Sequence, residues 1–193
     1  MEKFEKQMEF LIEAEKLKNI IRQSPLPFNR KENDAEHSWS LCLYAVVLSE
    51  YAEEGTDILR CLKMLLIHDM VEIYAGDTYL YDEEANKDRE QRELAAADKI
   101  FSPLGKQGEE LKTLWLEFEA NKSKESRFAN IMDRFQPVIL NYLSHGSAWQ
   151  EHNVNSRQVL EMGKEKVMKG HENIKNYYLN IINDAVEKGW LKK

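Results

Sequence analysis

The sequence has little of what builds a secreted, fibrous or turn-rich protein. Of its 193 residues only 2 are cysteine, 4 are proline and 8 are glycine. Cys42 and Cys61 are too few for a disulfide framework and both fall in apolar, helix-like surroundings, so buried thiols of a reducing compartment are expected. The scarcity of glycine and proline argues against a β architecture rich in turns. Long apolar runs are also missing. The longest, Leu41 to Leu48, is far shorter than a bilayer crossing, and Met1 to Lys6 has no signal-like apolar segment, so a cytoplasmic protein with no membrane partner is expected. A basic excess is missing too: 27 Lys and Arg stand against 34 Asp and Glu, a net charge of -7, with no cationic stripe for a polynucleotide backbone. Long DNA or RNA is thereby disfavoured. A small phosphate ester is not, because one metal ion and a few local cations can bind it whatever the global charge.

What the chain does have is apolar residues at helical spacing, 42% hydrophobic and 32% charged overall, with no repeat or linker-like shift. The expectation is an all-α, compact helical bundle forming one domain over 1–193. Helices are predicted at about 3–22, from the Asn33-Asp34-Ala35-Glu36 capping box to Gly55, and at 57–75, 82–102, 106–121, 123–144, 155–169 and 171–188. The stretch Ser24 to Lys31 reads as a loop, and Pro137 as a kink or break inside its helix. The 57–75 segment, apolar on nearly every side, is predicted to be the central buried helix. Trp39, Trp115 and Phe118 read as core.

At the end of that apolar helix stand His68 and Asp69, an expensive place for ionisable groups without partners. Helical spacing carries Glu72 to the same face as both. An imidazole with two carboxylates calls for a divalent cation, and the absence of thiolate rules against a closed structural zinc site. His37, one turn into the preceding helix, and Asp133, a carboxylate among core-forming residues of a later helix, are the candidates to complete the set. His37, His68, Asp69 and Asp133 would leave positions open for water and substrate, as catalytic metals require. For any one of these residues, a hydrogen-bonded core position or a cap is the commoner explanation; their convergence is what favours the metal. His145, His152 and His171 converge on nothing and read as surface or structural histidines.

Glu36-His37-Ser38, then His68-Asp69-x-x-Glu72-x-x-x-Gly76-Asp77, then Asp133, in this order, resemble the HD-domain metal-dependent phosphohydrolases, in particular the small bacterial branch similar to 5'-deoxynucleotidases. The similarity runs over nearly the whole chain, with a motif core at about 33–137. It implies one divalent metal ion (Mn, Co, Fe, Ni, Zn or Mg) on His37, His68, Asp69 and Asp133. It further implies Glu72 and Asp77 as the carboxylates that handle water and the leaving oxygen, Arg22 as the phosphate contact, and Glu119, with Glu117, near the pocket entrance. The reaction implied is hydrolysis of a (deoxy)nucleoside 5'-monophosphate to nucleoside and phosphate, by a protein that is a possible homodimer. Gln23 departs from the pattern, since nucleotidases of this kind can carry there a bulky aromatic that crowds the sugar. The alternatives are a metal- and nucleotide-binding sensor or scaffold without turnover, and an HD hydrolase of another phosphoester.

Overall fold

The computed structural model describes residues 1–27, 30–82 and 84–193. It is all-α apart from one two-stranded ribbon, β1 (Ile21–Leu26) and β2 (Arg30–Asn33). The helices are α1 (Glu2–Ala14), α2 (Asp34–Val47), α3 (Ile58–Ile67), α4 (Glu72–Ala75), α5 (Arg89–Phe101), α6 (Lys106–Ala120), α7 (Lys124–Leu143), α8 (Ser147–Glu151), α9 (Ser156–Lys164) and α10 (Glu172–Glu187).

The start of α2 follows from chemistry legible in the sequence. Asn33 accepts from the Glu36 amide and Glu36 accepts from the Asn33 amide, a complete capping box that aims the first turn, with Asp34 and His37, inward. Asp57 caps α3 in the same manner by accepting from the Arg60 amide. The expected loop at Ser24 to Lys31 is instead mostly the ribbon, with Pro25 paired to Lys31 and Leu26 to Arg30; the part of that loop at 28 and 29 lies outside the described residues. A lone two-stranded ribbon has free edges, which tolerate a proline that cannot donate. α1 gives way at Ala14 to a 3-10 segment over Glu15–Asn19, and the ribbon from Ile21 keeps the helix from reaching 22.

The centre belongs to α7, not to the 57–75 segment. α7 is buried along most of its length and packs against α2, α3, α6 and α10. α3 leaves Leu59 and Leu66 largely exposed, so its outer face is open. α7 runs through Pro137 without the expected break. Trp115 and Phe118 are buried as expected, but Trp39 is 66% exposed and is no part of the core. α1 buries none of its apolar stripe fully, whereas Leu17 just beyond it is buried. No helix among the described residues is long and apolar enough to cross a membrane.

The decisive local feature is the end of α3. The chain tightens into a 3-10 turn over His68–Val71 before α4 resumes. Met70 and Val71 join an apolar cluster with Leu17, Ala97, Phe101 and Trp115, while His68 and Asp69 turn toward α2 and α7. The buried Trp115 indole N–H donates to the His68 carbonyl at 3.1 Å and fixes the turn from behind.

Candidate metal centre and phosphate pocket

His37 comes from α2, His68 and Asp69 from the 3-10 turn, and Asp133 from α7, and all four are buried. His37 Nε2 lies 3.3 Å from Asp133 Oδ1 and 3.9 Å from Asp69 Oδ2. His68 Nε2 lies 3.1 Å from Asp69 Oδ2 and 3.8 Å from Asp133 Oδ1. The structure therefore brings together the four residues on which the motif converges.

The far nitrogens of both rings are committed elsewhere. His68 Nδ1 donates to the Leu65 carbonyl at 2.9 Å, and a carbonyl can only accept. Gln136 donates its amide to Glu32 Oε1 at 2.8 Å, which turns Gln136 Oε1 toward His37 Nδ1 at 3.1 Å. With a metal bound, each ring would keep its proton on Nδ1 and offer the Nε2 lone pair, the tautomer a metal ligand needs. His68 Nε2 is buried with no hydrogen-bond partner among the described residues. Two imidazole nitrogens and two carboxylate oxygens fit a divalent cation, and the unpartnered His68 Nε2 is the atom that a ligand-free hydrogen-bonded core leaves unexplained.

Glu72 meets Asp69, as its spacing implies. It groups with Asp69 and with Asp34, a carboxylate that sequence reasoning assigned only to the capping segment. Arg22 Nη1, from β1, donates to Asp69 Oδ2 at 2.7 Å and Asp34 Oδ1 at 3.1 Å, so the guanidinium holds two of these carboxylates together. Burial, then the Asp69 charge, pushes the Asp34 carboxyl up to about 7. Burial and the Asp69 and Asp34 charges likewise hold Glu72 well above the usual carboxylate range. Burial opposes the Arg22 charge, but Asp69, Glu72, Asp34 and Asp77 outweigh it and keep the guanidinium charged. Asp77, half-buried past the left-handed Gly76, is raised by burial and lines the same pocket.

That pocket takes in Arg22, Asp69, Glu72, Asp77, Glu119 and Asp133. Glu119 stands at its solvent-exposed margin. Glu117 turns away and pairs with Arg60 of α3, so it is no entrance residue. His152 stacks on Tyr79, His145 on Trp190, and His171 accepts from the Asn173 amide, which leaves all three outside the metal cluster. Both cysteines are free; Cys61 is buried and Cys42 half-buried, and burial pushes the Cys42 thiol up to about 11.

An all-helical frame that folds two imidazoles and two carboxylates into one buried cluster, beside a carboxylate-lined pocket, defines a metal-site class of helical protein. The HD domain family model matches residues 14–175, and the chain belongs to that family. Over its full length it is similar to a crystal structure described as a predicted metal-dependent phosphohydrolase from Magnetospirillum magnetotacticum MS-1, at 40% identity and TM-score 0.94, covering 99% of this chain and 96% of that one. The PH0347 protein of Pyrococcus horikoshii OT3, 23% identical with TM-score 0.62 over 93% of this chain and 98% of its own, shares the fold. Human 5'-deoxynucleotidase HDDC2 is 27% identical over 135 residues, 68% of this chain. The Schizosaccharomyces pombe 5'-deoxynucleotidase hdd1 is 25% identical over 114 residues, 56% of this chain. The match spans 65% of the human relative and 56% of the yeast one.

Proposed function

We propose that this HD-domain protein is a metal-dependent phosphohydrolase that cleaves the phosphomonoester of (deoxy)nucleoside 5'-monophosphates. The observation that carries the reading is the orphaned His68 Nε2, facing Asp69 and Asp133 beside a second carboxylate group that a bare metal-storage site would not need. His37, His68, Asp69 and Asp133 would hold the ion. A divalent ion bound there supplies Lewis-acid polarisation of the phosphate and of the attacking water.

The chain's own groups do the rest. Glu72, kept protonatable by burial and by its acidic neighbours, accepts the proton of the attacking water. Asp77 is placed to protonate or orient the leaving oxygen. Arg22 keeps Asp69 and Asp34 from repelling each other and contributes charge toward the phosphate. The similarity to 5'-deoxynucleotidases supports a nucleoside monophosphate as substrate. Gln23, tied to Lys31 at 2.5 Å, puts no aromatic bulk against a 2'-hydroxyl, so ribo- and deoxyribonucleotides are expected to be cleaved at rates within about tenfold, the modest discrimination of a site that merely tolerates a hydroxyl.

The test is phosphate release by metal-loaded protein across ribo- and deoxynucleoside mono-, di- and triphosphates, with bis(p-nitrophenyl) phosphate as a diester control. Monophosphates are expected to lead the panel. Turnover confined to diesters or triphosphates would replace the substrate class, and no turnover with any would leave the sensor reading.

A further inference from the structure

Two cations line the same pocket without a carboxylate at hydrogen-bond distance among the described residues. Arg134 follows Asp133 on α7, with its side chain 21% exposed and Nη1 3.8 Å from Asp133 Oδ2, the oxygen that does not face the imidazoles. Among the described residues its guanidinium donates no hydrogen bond. Lys166, in the segment just after α9, reaches α7 one turn earlier and donates Nζ to Asn130 Oδ1. Asn130 is itself fixed, because its amide donates to the Phe118 carbonyl at 2.8 Å and the Ser126 carbonyl at 3.0 Å. No carboxylate of the described residues stands within ion-pair distance of Lys166 Nζ.

Like charges brought together in a recess are costly unless an anion neutralises them. Burial and the Arg134 charge push Lys166 down to about 8; Asp133 and Glu119 pull the other way without outweighing them. Arg22, by contrast, already spends Nη1 on Asp69 and Asp34. Arg22 Nε, buried without a hydrogen-bond partner, lies 3.8 Å from Glu32 Oε2, so three carboxylates already surround that guanidinium, whereas among the described residues no carboxylate stands at hydrogen-bond distance from Arg134 or Lys166.

We propose that Arg134 and Lys166 form a phosphate clamp, the guanidinium and the ammonium donating to the non-bridging oxygens of a phosphate held against the His37–His68–Asp69–Asp133 cluster. Asn130 positions the lysine, and the neighbouring Asp133 positions the arginine. The clamp rests on the metal-site reading above, but it is a statement about anion binding and needs no turnover.

Calorimetric titration of inorganic phosphate into the metal-loaded protein tests it, with metal content measured on the same samples. Lys166→Met and Arg134→Met are each expected to weaken phosphate binding about tenfold or more, the worth of one charged hydrogen bond, with metal content unchanged. Lys166→Arg and Arg134→Lys, which keep the charge and guard against misfolded methionine variants, are expected to stay within about tenfold of the wild type. Unchanged phosphate binding in both methionine variants overturns the clamp. So does a wild type that binds no phosphate, or a loss of metal that accompanies the loss of phosphate, because the residues would then act through Asp133. A protein that binds phosphate through this pair yet hydrolyses no nucleoside monophosphate would refute the nucleotide substrate and leave the clamp standing.

Discussion

The hydrogen bonds behind the metal cluster decide what its histidines can do. Gln136 is held by Glu32 so that its oxygen meets His37 Nδ1, and Gln136→Leu removes that bond while roughly keeping the side-chain volume. Metal affinity is expected to fall about 10- to 100-fold, read by competition with a chromogenic chelator, as for other groups that orient a ligand. In the metal-free protein burial and the Arg22 charge disfavour a protonated His37, yet hydrogen bonds to Asp133 and Glu32 prevail and push it up to about 9. Its protonation therefore stabilises the metal-free fold below the ordinary 6.5, and that contribution is lost as pH rises through about 9. Metal must displace this proton, so affinity is expected to climb roughly tenfold per pH unit from neutrality toward 9, and a flat profile would count against His37 as a ligand. The four candidate ligands were legible in the sequence because each is a charged or imidazole group set in an apolar helix. Glu32, Asp34 and Gln136 were not. The first two lie in the polar run Arg30 to Glu36, where nothing local signals burial; Glu32 meets Gln136 of α7, and Asp34 meets Arg22 and groups with Asp69 and Glu72 of the distant 68–75 segment. Trp39 fails in the opposite direction: a large aromatic looks like core, yet its neighbour Ser38 faces inward, so Trp39→Ala is expected to change stability by no more than about 0.5 kcal/mol in urea unfolding.

At the scale of elements, the short 3-10 turn at the end of α3 does more than any helix. It places His68 with His37 and Asp69, and Glu72 with Asp34 and Asp69, so that Asp69 joins the two groups. Sequence periodicity cannot show this, because the apolar pattern continues across the turn. Gly76 then ends α4 with φ +78° and ψ 151°, a conformation that a side chain strains even where space is open, as it is here. Gly76→Ala is expected to cost about 1–3 kcal/mol in thermal or denaturant unfolding and to reduce turnover by misplacing Asp77, with metal content retained. Metal loss in that variant would show that α4 supports the ligands and not only the carboxylates beyond them. The ribbon is the other element that sequence pattern missed: Arg22-Gln23-Ser24-Pro25 carries no clean alternation, and it is the pairing with β2 that delivers Arg22 to Asp34 and Asp69.

For the whole molecule, helix content and the order of helices were readable because proline, glycine and capping residues punctuate a strongly periodic chain. The identity of the central helix was not. α3 has the more uniformly apolar sequence, but α7 touches more of the bundle and buries Asn130, Asp133, Gln136 and Asn141 among its apolar residues. Polar groups on α7 that look like a solvated face line the pocket and its supporting network, which is how Arg134 escaped notice; Lys166, just past α9, sits in a charged run that gives no local sign of the pocket. The net charge of -7 is compatible with a phosphate substrate because the cations that meet it are local. The resemblance to the family implies a possible homodimer, for which light scattering should give twice the 22.7 kDa chain mass; the chain mass itself would refute it.

The central claim is that His37, His68, Asp69 and Asp133 hold one divalent ion on which phosphate release depends. Metal content by mass spectrometry and phosphate release from a deoxynucleoside monophosphate, measured on one preparation before chelation, after chelation and after metal return, test it most directly, with Asp69→Ala alongside. The expected result is about one ion per chain, activity that vanishes and returns with the ion, and neither metal nor activity in Asp69→Ala. Full activity after complete metal removal, or an Asp69→Ala protein that keeps both, would contradict it.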